Sequence, residues 1–340
     1  MIHIEADVMA GARTAAGVCM GVKPGDRVAV ISDQATAMVG EALVRASLDL
    51  DGEARLFLLE DYATRPIREL PEALVEALVD WRPTVTFYAA ASQPGEIAFR
   101  IALRRMLLDE LKVRHGHMPG ITPRLMREGM AVDYRLVERV TRRVWERVRQ
   151  ARTIHVTNAS GTDLTVRFDP ERRWVPCTGI YHDPGSWGNL PEGEVFTAPV
   201  SADGVLVVAL LGDHFSEKYG VLDRPVTIRV RDGWVTEVSC ADPDLAAELF
   251  EYLRSAENGA RMGEFAIGTN VALKELTGNL LQDEKIPGVH VAFGNPYPEE
   301  TGADWSSTVH VDVIPVRTTI VVDGEEIMRD GQFSPTLVGE

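Results

Sequence analysis

The sequence predicts an α/β N-terminal domain with a mostly parallel sheet, followed by a β-rich α+β domain. From residue 27 to about residue 151, strand-like apolar runs alternate with helical stretches, a pattern typical of a parallel sheet. From residue 153 onward, short β runs are separated by turn signals. We therefore expect two domains, residues 1–151 and residues 152–340, each long enough to bury its own core.

The first domain is predicted to alternate helices and strands in order along the chain. Residues 1–22 have helical spacing, and a Pro-Gly-Asp turn follows them. The predicted strands are 27–32, 54–59 and 84–90. The later predicted helices are 35–48, 71–80, 96–112 and an amphipathic surface helix at 133–151. The sequence has no Gly-x-Gly-x-x-Gly after the first strand and no Gly-x-x-x-x-Gly-Lys, so we expect no nucleotide-binding domain.

The second domain is predicted to consist mainly of strands and hairpins. Its first predicted strands are 153–157, 164–168, 205–211, 226–231 and 235–240. An Asp-Gly pair at 232–233 is a strong hairpin signal between the last two of them. Asp242 is the predicted cap of a helix that runs to about residue 258, and residues 316–340 are expected to close the domain with a hairpin and a tail.

Composition excludes several classes of function. The chain has 35 basic and 51 acidic residues and a formal net charge of −16, which argues against binding the phosphate backbone of a nucleic acid. No apolar run approaches the roughly 18 residues that a membrane span requires, and the N-terminus is acidic where a signal peptide is basic. We expect a cytoplasmic protein with no nucleic-acid or membrane partner. The three cysteines are too few and too far apart for a disulfide framework.

Two short strands each present polar side chains on one face. In TVHVDVI at 308–314, alternation places His310 and Asp312 opposite the valines, and VHVAF at 289–293 does the same for His290. Glu194 and Glu264 lie upstream in segments bounded by glycine. An isolated strand histidine is more often a hydrogen-bonded core residue, and a glutamate after a glycine more often lies at the surface.

The apolar surroundings of these residues favour a metal site over the simpler interpretation. A buried polar group without a partner costs a few kcal/mol. The two histidine-bearing strands contain no lysine or arginine that would supply a salt bridge. The five residues therefore predict a site for one or two divalent ions. No Gly-x-Ser-x-Gly elbow is present, and no cysteine has the surroundings of a reactive thiolate.

A further pair of histidines lies in RHGHMPG at 114–120, which is predicted to be a Gly/Pro loop. A His-x-His pair can bind a metal, but Arg114 beside it disfavours a cation. An ordinary loop role is the stronger interpretation. We retain His115 and His117 as candidate residues that face the substrate.

Four motifs surround the candidate ligands: GNLPxGEVFTAP at 188–199, GEFAIGxN at 263–270, HVAFGNxYP at 290–298 and STVHVD at 307–312. These motifs resemble the M29 metallo-aminopeptidases, also called the aminopeptidase T or thermophilic leucyl aminopeptidase family. The resemblance covers most of the chain and implies an α/β domain followed by a β-rich metal-binding domain, in a homodimer. It also implies that two divalent ions, of Zn, Co, Mn or Mg, are held by Glu194, Glu264, His290, His310 and Asp312.

The resemblance also implies the residues that act in catalysis on a peptide substrate. A tyrosine matching Tyr297 lies at the family site, where it can donate a hydrogen bond to an oxyanion. An acidic residue just before the His290 strand also belongs to that site, and Glu284 matches it with a one-residue gap. In such a peptidase, metal-activated water attacks the first peptide bond, and Glu264 or Glu284 accepts the water's proton.

Two alternatives to the peptidase stay open. The chain is shorter than typical M29 peptidases and approaches in size a related branch, the 2,5-dihydroxypyridine dioxygenases, which use one Fe(II) held by two histidines and an aspartate. RHGHMPG also resembles that branch, in which a histidine of the first domain acts as a base. Position 264 is Glu rather than His, however, and Glu194 and His290 remain for a second ion, so the ligands favour the peptidase. A catalytically inactive relative that only binds is the other alternative.

Overall fold

A computed structural model describes residues 4–339 of the chain. It divides the chain into two compact units, the first formed by the chain up to Arg135 together with Gly179–Glu192, and the second by Leu136–Thr178 together with the chain from Gly193 onward. The predicted fold class is confirmed, since the first unit has a parallel sheet with helices and the second has antiparallel sheets. Among the described residues, no helix is both long and apolar enough to cross a membrane.

The elements are numbered along the described part of the chain. The strands are β1 (Arg27–Ser32), β2 (Glu53–Leu58), β3 (Val85–Ala89), β4 (Arg114–His117), β5 (Thr153–Thr157), β6 (Asp163–Arg167), β7 (Val175–Cys177), β8 (Trp187–Asn189), β9 (Glu194–Thr197), β10 (Ser201–Val208), β11 (Leu210–Leu211), β12 (Val226–Arg231), β13 (Trp234–Ser239), β14 (Met262–Gly268), β15 (Gly288–Gly294), β16 (His310–Ile314), β17 (Thr319–Val322), β18 (Glu325–Arg329) and β19 (Gln332–Phe333). The helices are α1 (Ala6–Arg13), α2 (Ala37–Leu48), α3 (Glu72–Trp81), α4 (Ile97–Arg105), α5 (Pro123–Leu125), α6 (Tyr134–Val148), α7 (His214–Tyr219), α8 (Pro243–Arg254), α9 (Leu280–Asp283), α10 (Pro298–Thr301) and α11 (Pro335–Val338). Helices α1, α4 and α5 continue as π-helical turns at Thr14–Cys19, Met106–Glu110 and Met126–Met130.

Within residues 4–339, the first unit contains a five-stranded sheet in the order β2-β1-β3-β4-β8, with every neighbouring pair parallel. Its core packs the sheet against the helices and includes Ile31, Phe57, Leu74 and Phe99. The strands and helices predicted between residues 27 and 112 are confirmed to within a few residues. Residues 1–3 of the first predicted helix lie outside the described residues.

The loop predicted at 114–120 is wrong in its first part, because Arg114–His117 form β4 inside the parallel sheet. Gly116 allows the tight packing there, since a Cβ added at this position would lie 3.0 Å from side-chain atoms of both Phe87 and Leu190. Sequence reasoning missed this strand because a Gly and two His within four residues do not form an apolar run. The two histidines are therefore core residues of a strand.

The division into units differs from the predicted boundary between residues 151 and 152 in two ways. Helix α6 was assigned to the first domain, but its buried residues Val140, Val144 and Val148 belong to the hydrophobic core of the second unit. The segment Gly179–Glu192 belongs to the first unit because it contains β8, which pairs in parallel with β4. Neither feature is visible in the local sequence, since both depend on partners far away along the chain.

In the described part of the second unit, one sheet has eight strands in the order β13-β12-β10-β6-β5-β17-β18-β19. Its β12–β13 hairpin turns at the predicted Asp-Gly pair. The side chain of Asp242 accepts hydrogen bonds from the backbone N–H groups of Asp244 and Leu245, which makes it the predicted cap of α8. This sheet and α8 contribute to the apolar core of the unit.

The other sheet of this unit, which we call the site sheet, has six strands in the order β11-β16-β15-β14-β9-β7 in the described residues. Its neighbouring strands are antiparallel. One face is apolar and joins the core through Val195, Phe265, Ile267, Val289, Val291, Phe293, Val311 and Val313. The opposite face is therefore available for polar groups, as the alternation in β15 and β16 predicted.

Candidate metal centre

The five predicted ligands lie on the polar face of the site sheet. Glu194 is on β9, Glu264 on β14, His290 on β15, and His310 and Asp312 on β16. Because β9, β14, β15 and β16 are consecutive neighbours in the sheet, these side chains converge although they are far apart in sequence. The structure thus brings together the residues that the sequence analysis selected.

Small residues separate the ligands on this face and leave room between them. Ala292 of β15 pairs with Glu264 on one side and with Asp312 on the other. Ala266 of β14 pairs with His290, and Gly268 pairs with Glu194. A larger side chain at position 266 or 292 would project into the space between the polar groups.

The nitrogen and oxygen atoms of the ligands approach one another closely. His290 Nε2 lies 3.4 Å from Glu194 Oε2 and 3.4 Å from Glu264 Oε1. His310 Nε2 lies 3.8 Å from Glu264 Oε2 and 3.5 Å from Asp312 Oδ2. Glu264 therefore lies between the two imidazoles, with one carboxylate oxygen toward each. A carboxylate in this position can interact with both imidazoles at the same time.

The orientation of His310 suits a metal ligand. Its Nδ1 lies 3.0 Å from the backbone oxygen of Asn295, so Nδ1 carries the proton and donates it to the carbonyl. The lone pair of Nε2 then points to Glu264 and Asp312. A metal-ligating histidine usually donates a hydrogen bond from its other ring nitrogen in this way.

Two polar atoms of this cluster have no hydrogen-bond partner within residues 4–339, Glu194 Oε2 and His290 Nδ1. Both residues are buried, at 7 % and 2 % exposure, so an unsatisfied oxygen there costs free energy unless a cation approaches it. Carboxylate and imidazole donors at these separations match the ligands that divalent Zn, Mn or Co prefer. The residues present therefore fit a divalent metal.

Burial and mutual repulsion shift the titration of the carboxyl groups. Burial, and then the negative charge of Glu194, raise the pKa of Glu264 to about 8, while His310 opposes the shift. Burial, and then Glu264, raise the pKa of Asp312 to about 7. Negative charges are crowded together here, and bound cations relieve that crowding.

Glu284, the candidate proton acceptor, lies at the end of α9 next to the same cluster. Its carboxylate, His290 and Asp312 offer ligand atoms that all lie within 4.8 Å of one another. Burial raises its pKa to about 7, with Lys285 opposing and Glu194 reinforcing the shift. The gapped alignment in the sequence analysis thus selected a residue that lies beside the ligands.

Sequence reasoning missed Lys285, which is fully buried between two of these carboxylates. Its Nζ lies 2.7 Å from Glu194 Oε1 and 2.7 Å from Glu284 Oε1. The two histidine-bearing strands contain no lysine or arginine, as expected, but this lysine outside them supplies a salt bridge to the buried acids. The lysine precedes β15 rather than belonging to a strand, so a search confined to the strands could not find it. The available signal in the sequence was that Lys285 directly follows Glu284, which was already a candidate site residue.

The backbone around Lys285 is anchored to the site sheet. The N–H of Asn270 donates to the carbonyl of Lys285 at 3.0 Å. Gly268 permits this approach, since a Cβ at residue 268 would lie 2.0 Å from the carbonyl oxygen of Ile286. The lysine position therefore follows from the packing of its segment against β14.

Tyr297 lies against His310, with ring centroids 4.8 Å apart. Its φ of 49° is left-handed, which is uncommon for a bulky residue and is found most often at functional sites. Although 38 % of the residue is exposed, burial of the phenol and then the charges of Glu264 and Asp312 raise its pKa well above 10. The hydroxyl therefore stays protonated and can donate a hydrogen bond.

His115 and His117 lie in the first unit and form a buried pair on β4. His115 Nδ1 lies 2.8 Å from Thr86 Oγ1, and its Nε2 lies 3.2 Å from His117 Nδ1. His117 stacks on Tyr88 with ring centroids 5.4 Å apart. His115 is 1 % exposed and His117 is 8 % exposed. Their contact with a substrate stays a prediction.

The buried His115 predicts a loss of stability in acid. Burial, reinforced by Arg104, lowers the pKa of His115 from 6.5 to about 3. The contribution of the neutral imidazole to the stability of the folded state is therefore fully present above pH 6.5 and is lost as the pH falls toward 3. At about 1.4 kcal/mol per pH unit, lowering the pH from 6.5 to 5 reduces the free energy of unfolding by about 2 kcal/mol. The free energy of unfolding is measured with urea at pH 7.5 and at pH 5. The difference between the two values should be about 2 kcal/mol smaller in His115→Gln than in wild type. His155→Gln, at an exposed histidine, is the control and should behave as wild type. An unchanged pH effect in His115→Gln would refute this assignment.

The chain is similar to known proteins in sequence and in fold. The sequence model of a family described as Thermophilic metalloprotease (M29) matches residues 138–333. A solved structure of 2,5-dihydroxypyridine dioxygenase from Pseudomonas putida KT2440 matches with a TM-score of 0.69 and 15 % identity, over 97 % of this chain and 98 % of that chain. Wild-type AmpT from Thermus thermophilus matches with a TM-score of 0.68 and 19 % identity, over 96 % of this chain and 98 % of that chain. At these identities the two structures support the fold alone. None of the curated proteins compared with the chain matches it.

Proposed function

The chain belongs to the M29 family of thermophilic metalloproteases, and on that basis we propose that it is a metal-dependent aminopeptidase, which releases the N-terminal residue of a peptide. The resemblance of the four sequence motifs to this family is thereby confirmed. Membership makes the chain a metallopeptidase. The choice of an aminopeptidase, and the role of each residue, are the proposal.

One observation supports the proposal most strongly, the convergence of Glu194, Glu264, His290, His310 and Asp312 on one face of the site sheet. The family match of residues 138–333 includes all five of them. Their donor atoms lie 3.4 to 3.8 Å apart in the pairs described above. In that space, a bound divalent ion supplies a water of lowered pKa and polarises the peptide carbonyl.

Metal binding, proton acceptance and positioning are assigned to different residues of the chain. Glu194, Glu264, His290, His310 and Asp312 hold the ion, and the hydrogen bond from His310 to Asn295 fixes one imidazole. Glu284 lies beside the ligands rather than among the strands, so we assign it, ahead of Glu264, to accept the proton of the attacking water. Its ion pair with Lys285 holds the carboxylate in place.

Tyr297 is proposed to donate a hydrogen bond to the developing oxyanion. Tyr297→Phe keeps the ring that packs on His310 but removes the donor, so kcat should fall by about 10²- to 10³-fold with unchanged metal content. Steady-state kinetics and metal analysis of the purified variant test this. Tyr219→Phe is the control, because that hydroxyl bonds Glu248 on the same unit. A kcat equal to wild type in Tyr297→Phe would exclude the role.

The function itself is tested with the protein purified without chelator. Release of leucine from leucyl peptides, in the absence of oxygen and dependent on a divalent metal, is the expected result. The same preparation is also given 2,5-dihydroxypyridine and monitored for oxygen uptake. Uptake of oxygen with no action on peptides would overturn the aminopeptidase.

An iron-dependent ring-cleaving dioxygenase is the second candidate, and one observation favours it. The fold similarity to the Pseudomonas enzyme extends over 97 % of this chain. His310, His290 and Asp312 can supply the two histidines and the carboxylate of a one-iron site. Such a site needs neither Glu194 nor Glu264, whereas both lie within 3.4 Å of His290 here, which favours the peptidase.

The homodimer and the cytoplasmic location expected from the sequence are part of the same proposal. The homodimer rests on the family resemblance. Light scattering tests it directly, because a monomer has a mass of 37.4 kDa and a dimer has twice that mass. A monomer mass at micromolar concentration would contradict the dimer.

A further inference from the structure

Lys285 is the one described lysine that is completely buried, and it lies inside the metal centre. A buried ammonium group is stable only when anionic partners surround it. Two of its partners are Glu194 Oε1 and Glu284 Oε1, each 2.7 Å from Nζ. The lysine thus lies where a cation is needed to hold two carboxylates together.

The ammonium group uses donor atoms that a second ion would otherwise use. Glu194 Oε1 and Glu284 Oε1 both contact Nζ, so a second metal ion would compete with the ammonium group for these two oxygens. The atoms that remain include Glu194 Oε2, the second oxygen of Glu284, both oxygens of Glu264, Asp312 Oδ2 and the Nε2 atoms of His290 and His310. These atoms are sufficient for one divalent ion, which takes four to six ligands.

The charges of the cluster also agree with the binding of one ammonium group and one divalent ion. The carboxylates of Glu194, Glu264, Glu284 and Asp312 bring four negative charges into a buried space. One ammonium and one divalent ion offset three of these four charges and leave a single negative charge. Without the lysine, the same four charges are neutralised by two divalent ions.

The lysine is also held in this position by its backbone. Its N–H donates to the carbonyl of Gln282 at 2.9 Å, and its carbonyl accepts from Asn270. The absence of a side chain at Gly268 lets the segment lie directly on β14. The side chain is therefore aimed into the cluster by the fold of the segment.

We propose that the ammonium group of Lys285 takes the place of one of the two metal ions, so that each chain binds one divalent ion. This inference rests on the proposed metal centre and revises the two ions that the sequence predicted. It assigns to Lys285 a positioning role, which is to hold Glu194 Oε1 and Glu284 Oε1 together in place of a second ion, while Glu194 Oε2 stays available to the remaining ion.

The test counts ions per chain in the whole protein. Wild type, Lys285→Met and Lys285→Arg are saturated with Mn²⁺ or Zn²⁺ and measured by calorimetric titration and by metal analysis after removal of unbound ion. We expect one ion per chain in wild type and in Lys285→Arg, and two in Lys285→Met. Lys274→Met is the matched control, because this exposed lysine bonds only the carbonyl of Val271 among the described residues, and it should bind one ion.

The outcomes are separable from those of the peptidase test. Two ions per wild-type chain would overturn the proposal for Lys285 while leaving the metallopeptidase intact. One ion in both wild type and folded Lys285→Met would also overturn it. If Lys285→Met does not fold, the wild-type count alone decides. No bound ion in wild type would overturn the metal centre itself, together with this inference.

Discussion

Alanine at position 310 will abolish peptide hydrolysis and lower the metal content of the protein. His310 offers Nε2 to Glu264 and Asp312, and its other nitrogen is fixed by Asn295. A bound ion contributes several kcal/mol of transition-state stabilisation, so its loss should lower kcat/KM by at least about 10³-fold. The measurements are metal analysis and the rate of leucine release.

The fold should survive this substitution, because His310 is not part of the apolar face of β16. Circular dichroism should therefore be that of wild type. His155→Ala, on β5 of the same unit, is the control and should keep full activity and metal content. Wild-type metal content and turnover in His310→Ala would show that His310 is not a ligand.

Glutamine at position 264 will remove activity and at the same time stabilise the metal-free protein. Glu264 lies between the two imidazoles, and an amide cannot replace a carboxylate that faces both. We expect kcat/KM to fall by at least about 10³-fold. In the metal-free protein, the same change removes one of four crowded negative charges, so the free energy of unfolding at pH 8 should rise by a few kcal/mol.

Thermal unfolding with and without divalent metal checks the change in stability, and the rate of leucine release checks the loss of activity. Metal should raise the melting temperature of wild type strongly and that of Glu264→Gln weakly or not at all. Glu237→Gln, at an exposed glutamate paired with Arg229, should behave as wild type in both conditions. A metal-free Glu264→Gln less stable than wild type would argue that Glu264 has a structural role instead.

The candidate metal ligands were accessible from the sequence to different degrees. His310 and Asp312 were placed together by the two-residue period of a strand, because alternation decides the face before any partner strand is known. His290 followed from the same argument. Glu194 and Glu264 were candidates only as isolated carboxylates in segments bounded by glycine, since the distance between strands of one sheet has no fixed counterpart in sequence spacing, and Glu284 depended on the family resemblance.

The parallel sheet shows the limit of local patterns. Strand β1 contains a continuous apolar run at 28–31 and was predicted at the residues where it lies. Strand β4 contains His115, Gly116 and His117, and only its pairing with β3 and β8 makes it a strand. In the same way, α6 has an apolar stripe that was correctly assigned to a helix, but the core that covers it lies in the second unit.

By itself, the sequence determined the fold class, the helix and strand periods, and the polar face that bears His290, His310 and Asp312, because these depend on neighbours along the chain. Only the tertiary structure decided that Lys285 lies between Glu194 and Glu284. Its position depends on the close approach of its backbone to Gly268, and that contact exists only once β14 and the segment before β15 are packed together. Long-range packing therefore decides which cation neutralises these carboxylates.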